Sequence, residues 1–395
     1  SKKWKINMTE KTSVEKTWKA YLNKIEPADR TAMELAKKRW NSVAKPIGSL
    51  GILEEDIIKI AGIRGNASGM KLDRSALAVM CADHGVVAEG VSQTGKDVTR
   101  IVAENFTKGE TSTSKMCRIS GTDLYPVDMG MDCGPTGQKE PDMHRILDRK
   151  VARGSGNIAR EPAMSRTGCL QALLSGIDLA FRLKEKGYEI LAAGEMGIGN
   201  TTPAAAMSAV LTGLPPEEAT GRGAGLSDAG LEKKKKAVEM AVSRFYEEYP
   251  EYRNGTKEQY ESGELSAVTV LAELGGFDRA GMTGLFLGGA AAKIPVLTDG
   301  FLSTVSGLLA VLIRKEAKDY MLASHISTEP AGAAVLQMLD LPAPLHMGMH
   351  LGEGSGAVAM IPLLRMGAKV YEEMSTFSDI SVEQYVDYQE KGERP

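Results

Sequence analysis

The stretch Leu191–Thr202 reads Leu-Ala-Ala-Gly-Glu-Met-Gly-Ile-Gly-Asn-Thr-Thr and decides the fold of this chain. Its apolar beginning is typical of the end of a buried strand, and the glycines that follow predict a tight turn. The alanine-rich segment Ala204–Leu211 then predicts a helix whose N-cap is Thr201 or Thr202. Because backbone amides and the positive end of a helix dipole face the space above such a turn, the arrangement predicts an anion site, with phosphate as the ligand. The residues of the stretch predicted to hold this phosphate are Gly197, Gly199, Asn200 and Thr201.

The spacing of this turn is close to that of the P-loop of nucleoside-triphosphate-binding proteins. Gly194, four further residues, Gly199 and Thr201 are in place, but Asn200 stands where the P-loop has its lysine. Without that cation the β- and γ-phosphates have no partner, so we expect a single phosphate rather than ATP. A turn that only packs well is the alternative. Glu195 favours a function, because a turn that only packs has no need of a carboxylate beside an anion.

Composition places the chain among ordinary globular proteins. It has 395 residues, 43% of them hydrophobic, and a net charge of −3, which argues against nucleic acid as a partner. The four cysteines, which are widely spaced and form no C-x-x-C pair, give no support for disulfides or zinc. We expect no metal and no cofactor.

Neither a membrane span nor a secretory signal is expected. The longest apolar run, Gly300–Ile313, is shorter than the roughly 18 residues that a membrane helix needs, and it is bounded by charges. The basic N-terminus is followed by no apolar segment of the kind that a signal peptide has. These features predict a cytoplasmic protein.

Apolar runs alternate with helical patterns through the middle of the chain, which predicts a doubly wound parallel sheet of the α/β class. The predicted strands are Ala76–Ala82, Leu124–Met129, the apolar run Ile190–Ala193, Ile294–Leu297 and Tyr320–His325. Helical patterns at both ends predict a second, smaller helical domain. We therefore divide the chain into an N-terminal helical segment (1–70), a large α/β domain (71–345) and a C-terminal part of the small domain (346–395). The charged segment Tyr249–Glu264 is expected to be an insertion or a loop with a short helix.

Polar residues follow several predicted strands and should meet at one edge of the sheet. They include His84 and His325, for which a structural, hydrogen-bonded role is the better expectation than acid–base chemistry. Glu353 lies in a glycine-rich loop between apolar residues, which would raise the pKa of its carboxyl and suit a general base. The alternative is that Glu353 caps the helix that follows it.

Four stretches carry a family resemblance: Lys45-Pro46-Ile47-Gly48-Ser49-Leu50-Gly51, Ala82-Asp83-His84-Gly85-Val86, Gly194–Thr202 and Leu351-Gly352-Glu353-Gly354-Ser355-Gly356-Ala357. In this combination and order they closely resemble the nicotinate-nucleotide–dimethylbenzimidazole phosphoribosyltransferases, from about residue 30 to 375. The resemblance implies the fold predicted above, a dimer with sites near the interface and no metal. It also implies transfer of 5-phosphoribosyl from nicotinate mononucleotide to an aromatic acceptor, with inversion, in the synthesis of the lower ligand of cobamides.

The resemblance also assigns residues to roles. Glu353 matches the general base, and Glu195 and Lys234 match supporting catalytic residues. The phosphate loops correspond to Gly197, Gly223, Gly300, Phe301 and Ser327. The acceptor ring would lie beside Ser92, Met196, Leu351 and Ile101.

Departures from the family pattern concern the acceptor. Ile101 stands near the position where a glutamine is common, and His350 stands where an arginine is common. These departures suggest a divergent member that serves phenol or p-cresol in place of 5,6-dimethylbenzimidazole. Because such variants pair two related subunits, either a homodimer or a heterodimer is expected. A non-catalytic subunit of a heterodimeric enzyme is the alternative function, which the presence of Glu353 disfavours.

Overall fold

The computed structural model of the chain describes residues 8–386. At its centre lies a six-stranded sheet in which each neighbouring pair of strands is parallel. The strands are β1 (Ser75–Ala82), β2 (Thr122–Gly130), β3 (Leu147–Asp148), β4 (Ile190–Met196), β5 (Val296–Thr298) and β6 (Met321–Ala323). Their spatial order is β3-β2-β1-β4-β5-β6, so the order reverses between β1 and β4. This is a doubly wound α/β fold, as the alternating pattern predicted.

Fifteen α-helices surround the sheet within residues 8–386. They are α1 (Met8–Leu22), α2 (Arg30–Ser42), α3 (Ile52–Arg64), α4 (Asp97–Lys108), α5 (Ser112–Ser120), α6 (Arg166–Glu185), α7 (Thr201–Thr212), α8 (Pro216–Ala219), α9 (Asp228–Glu248), α10 (Lys257–Ser262), α11 (Ala267–Leu274), α12 (Phe277–Ala292), α13 (Phe301–Ile313), α14 (Gly332–Leu339) and α15 (Ser355–Glu373). None of the helices in this described range is long and apolar enough to cross a membrane.

Both faces of the sheet are buried, and alternate residues of each strand enter different cores. In β1, Ala76, Ala78 and Met80 join one apolar cluster, and Leu77 and Val79 join the other. Since every residue of β1 is buried, the strand reads as a continuous apolar run rather than as an alternating one.

One core depends on a close approach of α6 and α12. A Cβ atom at Gly176 would collide with the carbonyl of Gly281, and one at Gly284 would collide with the carbonyl of Leu173. Small residues therefore let the two helix backbones come together, which is the tight packing that the glycine- and alanine-rich sequence of α12 predicts.

The N- and C-terminal helices meet on the second face of the sheet. The rings of Trp40 (α2) and Tyr371 (α15) have centroids 5.1 Å apart, and both side chains belong to the core that contains Leu77 and Val79. By contrast, α1 lies on α6, where the Tyr21 and Phe181 ring centroids are 5.6 Å apart. The division of the chain at residues 70 and 345 stays a prediction.

The charged segment 249–264 is a packed part of the fold. It contains a short 3₁₀ turn, Pro250–Tyr252, and the predicted short helix, α10. Tyr252 and Tyr260 are buried, and the Tyr252 ring stacks edge-on against Phe245 of α9 at 5.1 Å. The expected loop with a short helix is confirmed, and these aromatic rings give the segment its own contacts with the core.

Candidate functional site

A cavity of about 330 Å³ opens at the carboxyl ends of β4, β5 and β6, next to the point where the strand order reverses. Parallel sheets bind ligands at this place, because the turns after neighbouring strands leave a crevice between them. The cavity brings together thirteen of the fifteen residues predicted to form the site. They are Ser92, Glu195, Met196, Gly197, Gly199, Asn200, Thr201, Gly223, Gly300, Phe301, Ser327, Leu351 and Glu353.

The two other predicted residues, Lys234 and Ile101, do not line the cavity. Lys234 is fully buried in α9, behind Thr201. Ile101 is 50% exposed and lines a separate charged hollow. The reason is its place on α4, where Thr99 and Ala103 face inward and Ile101 lies between them on the opposite side. Its assignment to the acceptor ring is corrected accordingly.

The glycine turn approaches its surroundings closely. A Cβ atom at Gly197 would collide with the carbonyl of Ala82, and Gly199 has φ +85°, which a side chain would strain. The predicted N-cap is wrong, because Thr201 is already the first residue of α7 and Asn200 precedes it. The Asn200 side chain is engaged elsewhere, since its amide donates a short hydrogen bond to Oε2 of Glu195.

Glu195 lies near the end of β4 as a buried carboxyl group in the cavity wall. Burial raises its pKa from the ordinary 4.5 to about 8; the charge of Arg279 lowers it, and the charges of Asp278, Asp299 and Glu353 raise it. The carboxyl lies directly against the loop before α15, since a Cβ at Gly352 would be 2.5 Å from Oε1 of Glu195. Near neutral pH this group can therefore change its charge inside the cavity.

Glu353 reaches the cavity through a left-handed backbone. It has φ +59° and lies between Gly352 and Gly354, which are both at φ +82°. Burial raises the pKa of its carboxyl, as the apolar neighbours in sequence predicted. Hydrogen bonding by Thr113 partly offsets this rise, and the charge of Asp299 adds to it. None of the described residues donates a hydrogen bond to its buried Oε2 atom.

Asp299, rather than Glu353, caps the helix that follows the Glu353 loop. Its Oδ2 accepts from the amide of Gly354 at 3.1 Å, and its Oδ1 accepts from the amides of Gly356 and Ala357 at 2.6 and 3.3 Å. The alternative that Glu353 serves as the cap is therefore wrong. Asp299 follows the predicted strand Ile294–Leu297 closely in sequence, but no local signal gives it this role, because its partners lie more than fifty residues away.

Lys234 supports the other end of the cavity from behind. Its ammonium donates to Oγ1 of Thr201 and to the carbonyl of Gly221, both at 2.8 Å, and burial lowers its pKa from 10.5 to about 8. The amide of Gly223 already donates to Oε1 of Glu329 at 3.1 Å. Glu329 also lines the cavity and was missed as a site residue, because a Glu-Pro pair after a strand carries no local signal of its own.

The two histidines are held by hydrogen bonds, as expected. His84 is fully buried, and its Nε2 lies 3.1 Å from Oδ2 of Asp278. His325 lines the cavity, with its Nδ1 atom 3.2 Å from the hydroxyl of Ser324 and 3.8 Å from Oδ1 of Asp299. In the described part of the chain, no group of three or more His, Cys, Asp or Glu side chains is arranged to hold a metal ion.

Comparison with known proteins gives one consistent result. A family model described as phosphoribosyltransferase matches residues 25–382. The chain is 38% identical to the nicotinate-nucleotide–dimethylbenzimidazole phosphoribosyltransferase of Ruminiclostridium cellulolyticum over 93% of this chain and 99% of that protein. It is 39% identical to the protein of the same name from Acetivibrio thermocellus, over 92% and 97% of the two chains.

Solved structures agree. The crystal structure of CobT from Thermus thermophilus superposes with a TM-score of 0.80 at 37% identity and covers 90% of this chain and 100% of that chain. The fold is thus shared over 90% of this chain and the whole of that chain.

Proposed function

Since this chain belongs to the nicotinate-nucleotide–dimethylbenzimidazole phosphoribosyltransferase family, we propose that it moves 5-phosphoribosyl from nicotinate mononucleotide to an aromatic lower-ligand base. The products are an α-riboside 5′-phosphate and nicotinate, for use in cobamide synthesis. The observation that carries this proposal is the placement of Glu353 and the glycine turn in one cavity at the sheet edge.

In this reaction the bond from the anomeric carbon to the pyridinium nitrogen breaks, and a bond to the acceptor atom forms on the opposite face. Nicotinate leaves with the bonding electron pair and needs no proton. The acceptor loses its N–H or O–H proton, and Glu353 receives it. The raised pKa of the Glu353 carboxyl suits this task, because a base of higher pKa holds the proton more firmly.

The phosphate is proposed to lie between the Gly197–Thr201 turn and the start of α13. Gly300 and Phe301 offer backbone amides at a helix N-terminus, and Ser327 adds a hydroxyl. Lys234 acts through Thr201, whose hydroxyl it orients from behind. The carboxylate of Glu329 holds the Gly223 amide, so Gly223 is assigned to the wall of this site rather than to direct phosphate contact.

The acceptor ring is proposed to lie beside Ser92, Met196 and Leu351, close to Glu353. 5,6-Dimethylbenzimidazole is the acceptor that the names of the relatives indicate. Phenol or p-cresol is a second candidate, supported by His350 at the cavity in a position where the family pattern has an arginine. A phenol needs one base for its O–H proton, and Glu353 provides it.

The test is release of nicotinate and formation of a riboside phosphate from nicotinate mononucleotide, with dimethylbenzimidazole and with phenol in parallel. We expect product with the purified chain alone. Product that appears only after a paralogous subunit is added would instead support the heterodimeric alternative. No product under either condition would refute the proposed function.

A further inference from the structure

A buried row of ionisable side chains lies beneath the glycine turn, outside the cavity lining. His84, Asp278 and Arg279 are all fully buried. Oδ2 of Asp278 lies 3.1 Å from Nε2 of His84 and 3.3 Å from Nη1 of Arg279, while Oδ1 of Asp278 accepts from the Arg279 amide at 2.8 Å. Burying a guanidinium costs free energy unless it is paired, and here Asp278 pairs with it.

This row is connected to the cavity through Asn200. Nη2 of Arg279 donates to the main-chain carbonyl of Asn200 at 3.1 Å, and the side-chain amide of Asn200 donates to Oε2 of Glu195. The glycine turn itself rests on the row, because a Cβ at Gly197 would be 3.2 Å from Nε2 of His84 and 3.3 Å from Oδ2 of Asp278. Arg279 is therefore two hydrogen bonds away from the Glu195 carboxyl.

The charges around Glu195 are unequal in sign. Asp278 in α12, Asp299 after β5 and Glu353 before α15 are acidic and disfavour a negative charge on Glu195. The Cys81 thiol of β1 also lies within electrostatic range of it. Within residues 8–386, Arg279 is the cation that opposes these effects by lowering the pKa of Glu195.

We propose that Arg279 is a positioning residue of the transfer reaction, which fixes the Asn200 turn through its carbonyl and favours the ionised form of Glu195. This rests on the proposed function. As the glycosidic bond breaks, positive charge develops on the ribosyl carbon, and the ionised form of Glu195 in the cavity wall stabilises it, so activity depends on how much of that form is present. Asp278, which also bonds to His84, pairs with the guanidinium, and Arg279 does not line the cavity, so it acts through Asn200 and Glu195 rather than on the substrate itself.

The test uses Arg279→Met and Arg279→Lys, with kcat and KM measured against pH. For Arg279→Met we expect the acid limb of kcat/KM to move up by at least about half a pH unit, since the cation that favours ionised Glu195 is gone. At neutral pH, kcat should fall about threefold or more, because a half-unit rise in the pKa of Glu195 lowers its ionised fraction by that factor, and KM should change less. Arg279→Lys keeps the positive charge, so its acid limb and its kcat should lie between those of the parent chain and Arg279→Met. In a Glu195→Gln background, Arg279→Met should move the limb no further.

Arg149→Met is the matched control. Arg149 is 13% exposed and pairs with Asp178 at 3.0 Å, and neither residue lines the cavity. If the control loses activity at all, it should do so equally at every pH, with the acid limb of kcat/KM unchanged. The same result for Arg279→Met would mean that Arg279 only supports the fold, and it would overturn the inference. If Arg279→Met fails to fold, the charge-neutral pair Asp278→Asn with Arg279→Met replaces it.

A second measurement needs no turnover. Infrared titration of the Glu195 carboxyl, assigned by its loss in Glu195→Gln, should show a higher pKa in Arg279→Met than in the parent chain. An unchanged value would overturn the inference even when the parent chain is active. Conversely, an inactive parent chain with the expected titration shift would refute the proposed function but leave the Arg279–Glu195 interaction standing.

Discussion

Replacing Glu353 by glutamine should separate chemistry from binding. Glutamine has the same shape and cannot take a proton, and Oε2 of Glu353 accepts no hydrogen bond from the described residues, so the folded chain loses little. A positioned general base contributes about 10²–10⁴ in rate, which corresponds to about 3–5 kcal/mol of the activation free energy. We expect kcat to fall by that factor, with KM for nicotinate mononucleotide changed less than about threefold.

The pH dependence gives a second readout of the same variant. Because burial raises the pKa of Glu353, activity of the parent chain should rise with pH through a value above the ordinary 4.5, and glutamine should remove this contribution.

The assay is initial-rate release of nicotinate with dimethylbenzimidazole from pH 5 to 9. The control is Glu239→Gln, a change at an exposed carboxylate of α9 that does not line the cavity. A Glu353→Gln enzyme that keeps kcat within about fivefold of the parent would refute the role of Glu353 as base.

Further predictions concern the glycine turn, the buried lysine and the buried carboxyl. Gly197→Ala should abolish most activity and lower the unfolding free energy by about 1–3 kcal/mol, because the added methyl group would collide with the Ala82 carbonyl. The control Gly134→Ala has open space around the added methyl group and should change neither property. Activity and thermal-melting assays of both variants check this. Lys234→Met should raise KM for nicotinate mononucleotide about tenfold or more by leaving Thr201 unoriented, and Lys235→Met should not, as steady-state kinetics will show. The pKa of Glu195 is about 8 in the folded chain and 4.5 in the unfolded chain, so ionisation of Glu195 destabilises the folded chain increasingly as pH rises between these values. The melting temperature of Glu195→Gln should therefore rise relative to that of the parent chain as pH increases from 5 to 8. A melting-temperature difference that stays constant over this range would contradict the prediction.

The elements that sequence predicted best are those with an unbroken local signal. β1 and β4 begin with apolar runs that lead into turns, and the glycine- and alanine-rich sequence from Phe277 to Ala292 predicts a helix with the bounds that the structure gives α12. β3 was missed because it has two residues, Leu147 and Asp148, which are too few for any periodicity. The N-cap of α7 was predicted as Thr201 or Thr202, whereas the helix begins at Thr201 and Asn200 precedes it. The side chain of Asn200 bonds to Glu195 instead of capping the helix, a contact that depends on the three-dimensional shape of the turn.

The candidate site divides in the same way. Glycines and acids next to strand ends are visible in sequence, and most of the residues chosen on that basis meet in one cavity. What holds them is not visible, because Asp299 bonds to Gly354 and Gly356, and Arg279 bonds to Asn200, across large separations in sequence. Ile101 fails for a related reason: a motif gives its position in the chain but not the direction in which α4 turns it.

The concentration of carboxyl groups at this cavity is itself informative. Asp299 and Glu353 lie close enough to Glu195 that their charges raise its pKa, and Asp299 does the same to Glu353, an arrangement that burial makes unfavourable in the free protein. In the proposed reaction the substrate carries a pyridinium cation, which relieves this repulsion when it binds. Bond cleavage removes that cation and leaves nicotinate, whose carboxylate the same acids repel. The acidic cluster therefore favours binding of the cationic pyridinium ring and holds the nicotinate ring less tightly once its charge is lost, which promotes release of nicotinate after transfer.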